Sequence, residues 1–387
     1  MKKLIRWAIG KIDNFYPKNN TVIFSSFPDY SDNPYALFSY LVTTEYAKKK
    51  QFVWLVDNSK QDIKKQIYEE FGKTIKVENK LSIRGIGHYL SAKFVFFSHG
   101  IYGFIPSYNN NKRINLWHGM PLKSIGALDS NFKGDKIGLD KLVVTSKIFS
   151  NIYSKAFKLS EENISILGQP RNDLLFQQSH FFKKLKIKQS LFAKTVMWMP
   201  TYLKSVIGDI RIDGNFDSKK ISILRIEELK ALNNFLSSEN VLLIIKLHPM
   251  DYFNNRTFDT YSNIIIIKHD NLYKINEQLY PLLGKCDALL TDFSSVYIDF
   301  LILNKPIAFT IDNMEEYKHS RGLVFENIED VLSGPVIDNY EDLLIFLKNL
   351  KRGIDHYQIK REEVNATFNR YSDSSNAKRV ADHFLKP

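Results

Sequence analysis

Hydrophobic and polar positions along the chain separate into short apolar runs divided by stretches of helical periodicity. The runs "TVIFSS" (21–26), "FVWLV" (52–56), "KFVFFSHG" (93–100), "INLWH" (114–118), "LVVTS" (142–146) and "ISILG" (164–168) are rich in β-branched and aromatic residues, the composition of strands. Between them, "NPYALFSYLVTTEYAKK" and "SKIFSNIYSKAF" repeat apolar residues at the spacing of an amphipathic helix. Because the runs are apolar throughout, they predict strands buried on both faces, hence a parallel sheet covered by helices. The polar and basic stretch "QQSHFFKKLKIKQSLFAK" (177–194) interrupts the pattern. It resumes with "TVMWMP" (195–200), "VLLIIKLHP" (241–249), "NIIIIK" (263–268), "DALLTDFSS" (287–295) and "KPIAFT" (305–310). After 335 the chain reads as helical. The organisation expected is an α/β half over 1–175, a basic linker over 176–194, a second α/β half over 195–350 and a helical segment over 351–387. Ligand would sit in a cleft between the halves, at strand C-terminal ends.

Composition narrows this picture. At 387 residues with 44% apolar positions, the chain can bury a core in each half. Its single cysteine, Cys286, excludes an internal disulfide framework and a Cys-based zinc site, and suits a reducing compartment. Apolar runs all fall short of the ~18 residues that span a bilayer. "MKKLIRWAIGKIDNFYP" lacks a small-residue cleavage site, but sets Leu4, Ile5, Trp7 and Ile9 beside Lys2, Lys3, Arg6 and Lys11. That composition fits a helix lying in a membrane interface and equally a solvated helix packed on the domain. The net charge of +12 favours anionic partners. With no zinc-finger spacing or RRM-type motif, nucleic acid is not expected as a partner. Neither G-x-G-x-x-G nor G-x-x-x-x-G-K-[ST] occurs, so any phosphate must be held by other means.

Chemistry gathers at the predicted strand ends. In "RINLWHGMPLKSIG" (113–126), Gly119 and Pro121 stop the strand and leave His118 at its C-terminal end. "LLIIKLHPMD" does the same with His248, ahead of Pro249. Each histidine alone reads equally as a structural turn residue; two of them, in two halves, argue for a task. In "CDALLTDFSSVYIDFLILNKPIAF" a strand runs into Asp292, Phe293, Ser294 and Ser295, ahead of helical periodicity over 296–303. Serine and aspartate are favoured helix N-caps, but adjacent hydroxyls at a helix start also suit an anion, which makes this the expected pyrophosphate site. "ILGQPRNDLL" sets Arg171 beyond a strand, for a bidentate phosphate contact or for a salt bridge to Asp173. "WMPTYLKS" (198–205) puts Thr201 at another strand end.

In this order, WHGMPLKSIG, GQPRND, MPTY, KLHP, TDFSSVYIDFLILNKPIAF and EEYKHSRG resemble the CDP-glycerol glycerophosphotransferases, the primases and polymerases of wall teichoic acid with relatives in capsule synthesis. The resemblance runs from "DNPYALFSYL" (32–41) to "GPVIDNYEDLLIFL" (334–347). It implies a GT-B arrangement of two Rossmann-like domains, the first for the acceptor and the second for a CDP-activated donor. The donor would be CDP-glycerol (or CDP-ribitol), with no bound cofactor and a metal requirement left open. The acceptor would be a lipid-linked saccharide or a growing polymer, and the enzyme a peripheral protein on the cytoplasmic face of the membrane. His118 matches the family's proposed base, and His248 would lie at the donor pyrophosphate with Ser294 and Ser295. Asp292 belongs to the same motif, and Arg171 and Thr201 are expected to bind substrate. Met120, Phe293 and the "PTYLKS" stretch depart from the family's usual residues at positions that could shape the polyol pocket. The absence of a long N-terminal extension leans the chain toward a primase or a compact capsule-type transferase. The competing enzyme reading is a GT-B glycosyltransferase using a CMP- or other nucleotide-activated sugar. A further expectation places Phe181, Phe182, Leu185 and Phe192 in a membrane interface, with Lys183, Lys184, Lys186 and Lys188 on lipid phosphates.

Overall fold

The structure, a computed structural model, describes residues 11–13, 15–57, 60–102, 112–129, 139–201, 217–268, 270–311 and 322–386. Two parallel sheets organise it. The first contains β1 (Asn19–Ser25), β2 (Gln51–Val56), β3 (Lys76–Asn79), β4 (Ala92–Phe97), β5 (Lys112–Asn115), β6 (Lys141–Val144) and β7 (Ile164–Ile166), in the order β3-β2-β1-β4-β5-β6-β7. The second contains β8 (Lys194–Met199), β11 (Val241–Lys246), β12 (Ile264–Ile267), β13 (Ala288–Thr291), β14 (Ile307–Thr310) and β15 (Val336–Ile337), in the order β12-β11-β8-β13-β14-β15. A small antiparallel hairpin joins β9 (Lys220–Ile221) to β10 (Leu224–Arg225). Both large sheets start at an inner strand, wind outward one way, then reverse. The reversal falls between β1 and β4 in one and between β8 and β13 in the other. Such a reversal opens a crevice at the strand C-terminal ends, where ligands bind in doubly wound folds.

The strand interiors explain the apolar runs. Val22, Ile23 and Phe24 of β1 are all 0% exposed, and Phe24 lies in register with Trp54 on one side and Phe96 on the other. Its ring stacks on Trp54 at 5.5 Å and meets the edge of Phe38 at 5.4 Å. In the second sheet Val196, Trp198, Leu243, Ile245 and Leu290 share one core with Leu232 and Leu236 of the helix Leu229–Glu239. The edge strands β3 and β15 carry no apolar run. β3 is four residues long and buries only Val77 fully, with Lys76 exposed and Glu78 and Asn79 half-buried, so "KVEN" gives no buried-strand signal.

The chain divides into two compact units: 1–120, 133–174 and 370–387 form the first, and 121–132 with 175–369 the second. The first is therefore discontinuous. Of the helices beyond 335, Tyr340–Arg352 and Gln358–Phe368 belong to the second unit and Asn376–Leu385 to the first. Asp173 explains the return: its carboxylate accepts the Asn376 N–H at 2.9 Å, the Asn376 side-chain amide at 2.8 Å and the Ala377 N–H at 2.7 Å. These bonds close the first turn of the last helix. Gly168 makes room for it, since a Cβ there, at φ +79°, would lie 1.9 Å from Asn376 Oδ1.

Two expectations change here. In the basic stretch, Phe181 and Phe182 are 1% and 7% exposed and pack edge to face at 5.4 Å. Lys184 donates to the Asn276 carbonyl and pairs with Glu277 at 3.1 Å, and Ser179 donates to Glu277 at 2.9 Å. These two aromatic rings fill the interior of the second unit and cannot enter a membrane interface. Met120 and Phe293 are also buried, at 0% and 1% exposed, so they pack the core. The N-terminal segment carrying Leu4, Ile5, Trp7 and Ile9 lies outside the described residues, as does EEYKHSRG apart from Gly322.

Candidate active site

In the first unit, β5 ends at Asn115, and the chain turns through Leu116, Trp117 and His118 beyond it. Trp117 holds a left-handed backbone, φ 58°, costly for an aromatic residue and kept only where neighbours enforce it. The Asn115 side chain accepts the Trp117 N–H at 2.7 Å. Asn33 donates through its amide to the Leu116 and Trp117 carbonyls at 3.3 and 2.9 Å. Tyr153 donates to the Gly119 carbonyl at 3.1 Å. Asn33 also accepts the Arg171 N–H at 3.0 Å. One buried amide thus ties the His118 turn to the Gly-Gln-Pro-Arg segment beyond β7. The Arg171 guanidinium, 6% exposed, pairs with Asp32 at 2.8 Å. Since Asp173 caps the last helix, the local Arg171–Asp173 bridge is replaced by these two separate contacts.

The chemistry of His118 follows from its partners. Its Nδ1 lies 3.1 Å from the Ser98 carbonyl oxygen. A carbonyl only accepts, so Nδ1 carries the proton and the neutral ring keeps its lone pair on Nε2. The His99 ring stacks on His118 with centroids 4.2 Å apart and planes 17° off parallel, and Trp117 lies 4.9 Å away at 19°. Part of His118 reaches solvent, while neighbouring protein groups crowd its ring. That crowding disfavours the cation and, helped by Arg171, holds the pKa below the usual 6.5 although the Ser98 carbonyl and Asp32 oppose it. His118 is therefore neutral at physiological pH, with the lone pair on Nε2.

In the second unit, the ends of β8 and β13 meet across the strand-order reversal. One Asp292 oxygen accepts the Thr201 N–H at 2.6 Å and its hydroxyl at 2.7 Å. The Thr291 hydroxyl donates to the Met199 carbonyl at 3.1 Å. Asp292 thereby fixes the two strand ends that frame the crevice. Ser294 and Ser295 follow, half-buried, ahead of the helix Val296–Phe300. The Ser295 side chain makes no capping bond, and among the described residues neither hydroxyl has a hydrogen-bond partner.

His248 lies two residues beyond β11 and is exposed. Its Nδ1 accepts the Met250 N–H at 3.1 Å, which leaves the proton of the neutral ring on Nε2. Asn254 braces the turn by donating to the His248 and Pro249 carbonyls at 2.8 and 3.2 Å. As neutral rings the two histidines thus carry opposite tautomers: Nε2 holds the lone pair in His118 and the proton in His248. Beside this turn Lys246, 8% exposed, donates to the Leu247 carbonyl at 2.7 Å. Burial brings its ammonium down to about 8 against the pull of Asp251.

Each predicted residue therefore lies at a strand C-terminal end: His118 and Arg171 in the first unit, Thr201, His248, Asp292, Ser294 and Ser295 in the second. Sequence reasoning missed Asn33, His99 and Lys246. His99 had a signal, because Ser-His-Gly closes an apolar run as Trp-His-Gly does nineteen residues later. Asn33 had none, since its partners lie 83 to 138 residues away. Among the described residues no cluster of three or more His, Cys, Asp or Glu side chains could hold a metal ion.

Two doubly wound sheets, each with a strand-order reversal and polar groups at its strand C-terminal ends, define a GT-B-like architecture. The chain belongs to the CDP-Glycerol:Poly(glycerophosphate) glycerophosphotransferase family, which matches residues 11–386. It is 26% identical to a teichoic acid glycerol-phosphate transferase of Staphylococcus aureus, over 100% of this chain and 99% of the relative. It is 24% identical to a teichoic acid poly(glycerol phosphate) polymerase of Bacillus spizizenii, over 87% and 85% of the two chains. A variant of the wall teichoic acid polymerase TagF soaked with CDPG shares the fold at a TM-score of 0.76 and 24% identity, over 99% of this chain and 92% of that one. The chain is thus a glycerophosphotransferase with CDP-glycerol as its donor, and the CMP-sugar reading finds no support.

Proposed function

We propose that the enzyme transfers glycerol phosphate from CDP-glycerol to a hydroxyl of a lipid-linked saccharide or growing teichoic-acid-type polymer, with His118 as base and the second unit holding the donor. The acceptor oxygen forms a bond to the glycerol-bearing phosphorus, the bridging P–O bond breaks, and CMP leaves with that electron pair. The hydroxyl proton goes to His118 Nε2. The His248 Nε2–H and the Ser294 and Ser295 hydroxyls donate to the phosphate oxygens, where negative charge grows as CMP departs. Asp292 and Thr201 keep those groups in place, and Arg171, through Asp32 and Asn33, keeps the His118 turn in place. The observation that carries the reading is the pair of opposite histidine tautomers, one suited to take a proton and the other to give a hydrogen bond.

A peripheral position on the cytoplasmic face of the membrane belongs to this reading. It is supported by the net charge of +12 and by Phe15, Leu81 and Ile83, exposed at 86%, 76% and 91%. No helix among the described residues is long and apolar enough to cross a membrane.

The test is incubation with CDP-glycerol, CDP-ribitol or CMP-sialic acid and a panel of acceptors, following CMP release and product mass. CMP release with CDP-glycerol, and a product heavier by one or more glycerol phosphate units, is expected. Turnover of CMP-sialic acid alone would overturn the assignment.

A further inference from the structure

Three groups beyond the proposed machinery stand out: the buried Lys246, the buried side chain of Gln169, and His99. The last carries an inference furthest. We propose that His99 is a positioning residue for the base: its ring, stacked on His118, fixes the plane in which Nε2 points and keeps water off one face. This rests on the reading of His118 as the base.

His99 occupies the C-terminal end of β4, the strand next to the reversal, between the segments that follow β1 and β5. Its ring meets the edge of Phe27, just beyond β1, at 5.6 Å and 70°. It also meets the face of His118, just beyond β5, at 4.2 Å and 17°. Its Nδ1 lies 3.0 Å from the Ser98 hydroxyl, so its own orientation is set. Ser98, 0% exposed, supplies the carbonyl that holds His118 Nδ1. Adjacent residues of one strand end therefore fix the base twice, Ser98 by tautomer and His99 by ring plane. A single hydrogen bond leaves an imidazole free to swing about it; a parallel ring at van der Waals distance removes that freedom.

The stack also bears on charge. Two imidazolium ions 4.2 Å apart repel, so at most one of the two rings is cationic. The charged groups around the pair are Asp32, which favours protonation, and Arg171 and Lys80, which oppose it. Burial, with the neighbouring His118 next in weight, brings His99 down to about 4. His99 is thus neutral at physiological pH and acts as a flat, uncharged plate, which a benzene ring can replace.

The experiment compares His99→Ala and His99→Phe. His99→Ala should lower kcat about 10- to 100-fold with the KM for CDP-glycerol unchanged. It should also move the acid limb of the kcat/KM profile up toward 6.5, because the exposed His118 ring becomes easier to protonate. His99→Phe should stay within about threefold of the parent in kcat, with the acid limb unmoved. NMR titration of the His118 ring in the three proteins follows the same coupling without turnover. A raised His118 pKa in His99→Ala alone supports the plate even if the assignment of the base fails. An unshifted His118 and normal kcat in folded His99→Ala would overturn it. So would a His99→Phe enzyme, folded by circular dichroism, that loses as much activity as a His118→Ala control.

Discussion

One oxygen of Asp292 receives both the backbone N–H and the hydroxyl of Thr201, at 2.6 and 2.7 Å, across the reversal of the second sheet. Beyond the last ladder pair, Thr291 with Met199, the chain ends of the two strands are held by a carboxylate, so Asp292 acts on geometry. Asp292→Ala should cost about 1–3 kcal/mol of stability, the penalty for leaving buried partners unmade, and weaken CDP-glycerol binding at least tenfold. Thr201→Val removes one of the two bonds and should cost about 0.5–1.5 kcal/mol. Urea denaturation and calorimetry with the donor check both; equal affinities in the parent and Asp292→Ala would detach Asp292 from the donor site.

His118 gives a pH signature with a definite sign. Its folded pKa is depressed, so the neutral base persists as pH falls below 6.5, and kcat/KM should hold through that value and fall only in more acid solution. His118→Ala should lower kcat by roughly 10²–10⁴-fold, the range for losing an acid–base group, with donor KM nearly unchanged. An acid limb centred above 6.5 would assign the titration to another group.

Donor contacts should separate from the base in the kinetics. The Ser294→Ala/Ser295→Ala double variant should bind CDP-glycerol more weakly while its acid limb stays in place. His248→Asn keeps a side-chain N–H donor and should retain more activity than His248→Ala, which should suffer in both kcat and KM. Identical losses in the two His248 variants would mean that the ring serves by something other than donation.

Lys246 tests a buried charge. Its folded value of about 8 lies below the ordinary 10.5, so the native state disfavours the ammonium, and that penalty is in force at neutral pH. The corresponding stability is full above 10.5 and is lost as pH falls through 8. Lys246→Met should therefore stabilise the protein at pH 7 by about 1–3 kcal/mol, and should weaken donor binding severalfold by removing a cation next to the His248 turn. A destabilised variant would show that pairing with Asp251 outweighs burial.

How much of this was legible in the sequence depended on the range of the signal. Strands β1, β2, β4 and β11 are apolar on both faces and announce themselves, as does β12 at a sheet edge with its four isoleucines; β3, with one fully buried residue, and β15, two residues long, do not. His118, His248 and the Asp292–Ser295 run were legible because a strand ending in a polar turn is a local pattern. Arg171 was legible as a strand-end cation, but its partner was not: Asp32 lies 139 residues earlier in the chain. The aromatics of 181–182 misled because Lys neighbours mimic an interfacial pattern, whereas Glu277 and the Asn276 carbonyl, far along the chain, receive Lys184 instead.

The hold of Asp173 on Asn376 and Ala377 has a consequence for biosynthesis. Residues 370–387 leave the ribosome after the whole of 175–369, yet they complete the unit that begins at the N-terminus. The nascent first sheet must wait, with the surface meant for Ala377, Val380, Ala381 and Phe384 uncovered, while the second unit is synthesised. At ~5–20 residues per second this interval lasts on the order of ten seconds or more, long enough for a chaperone to occupy that surface before the last helix arrives.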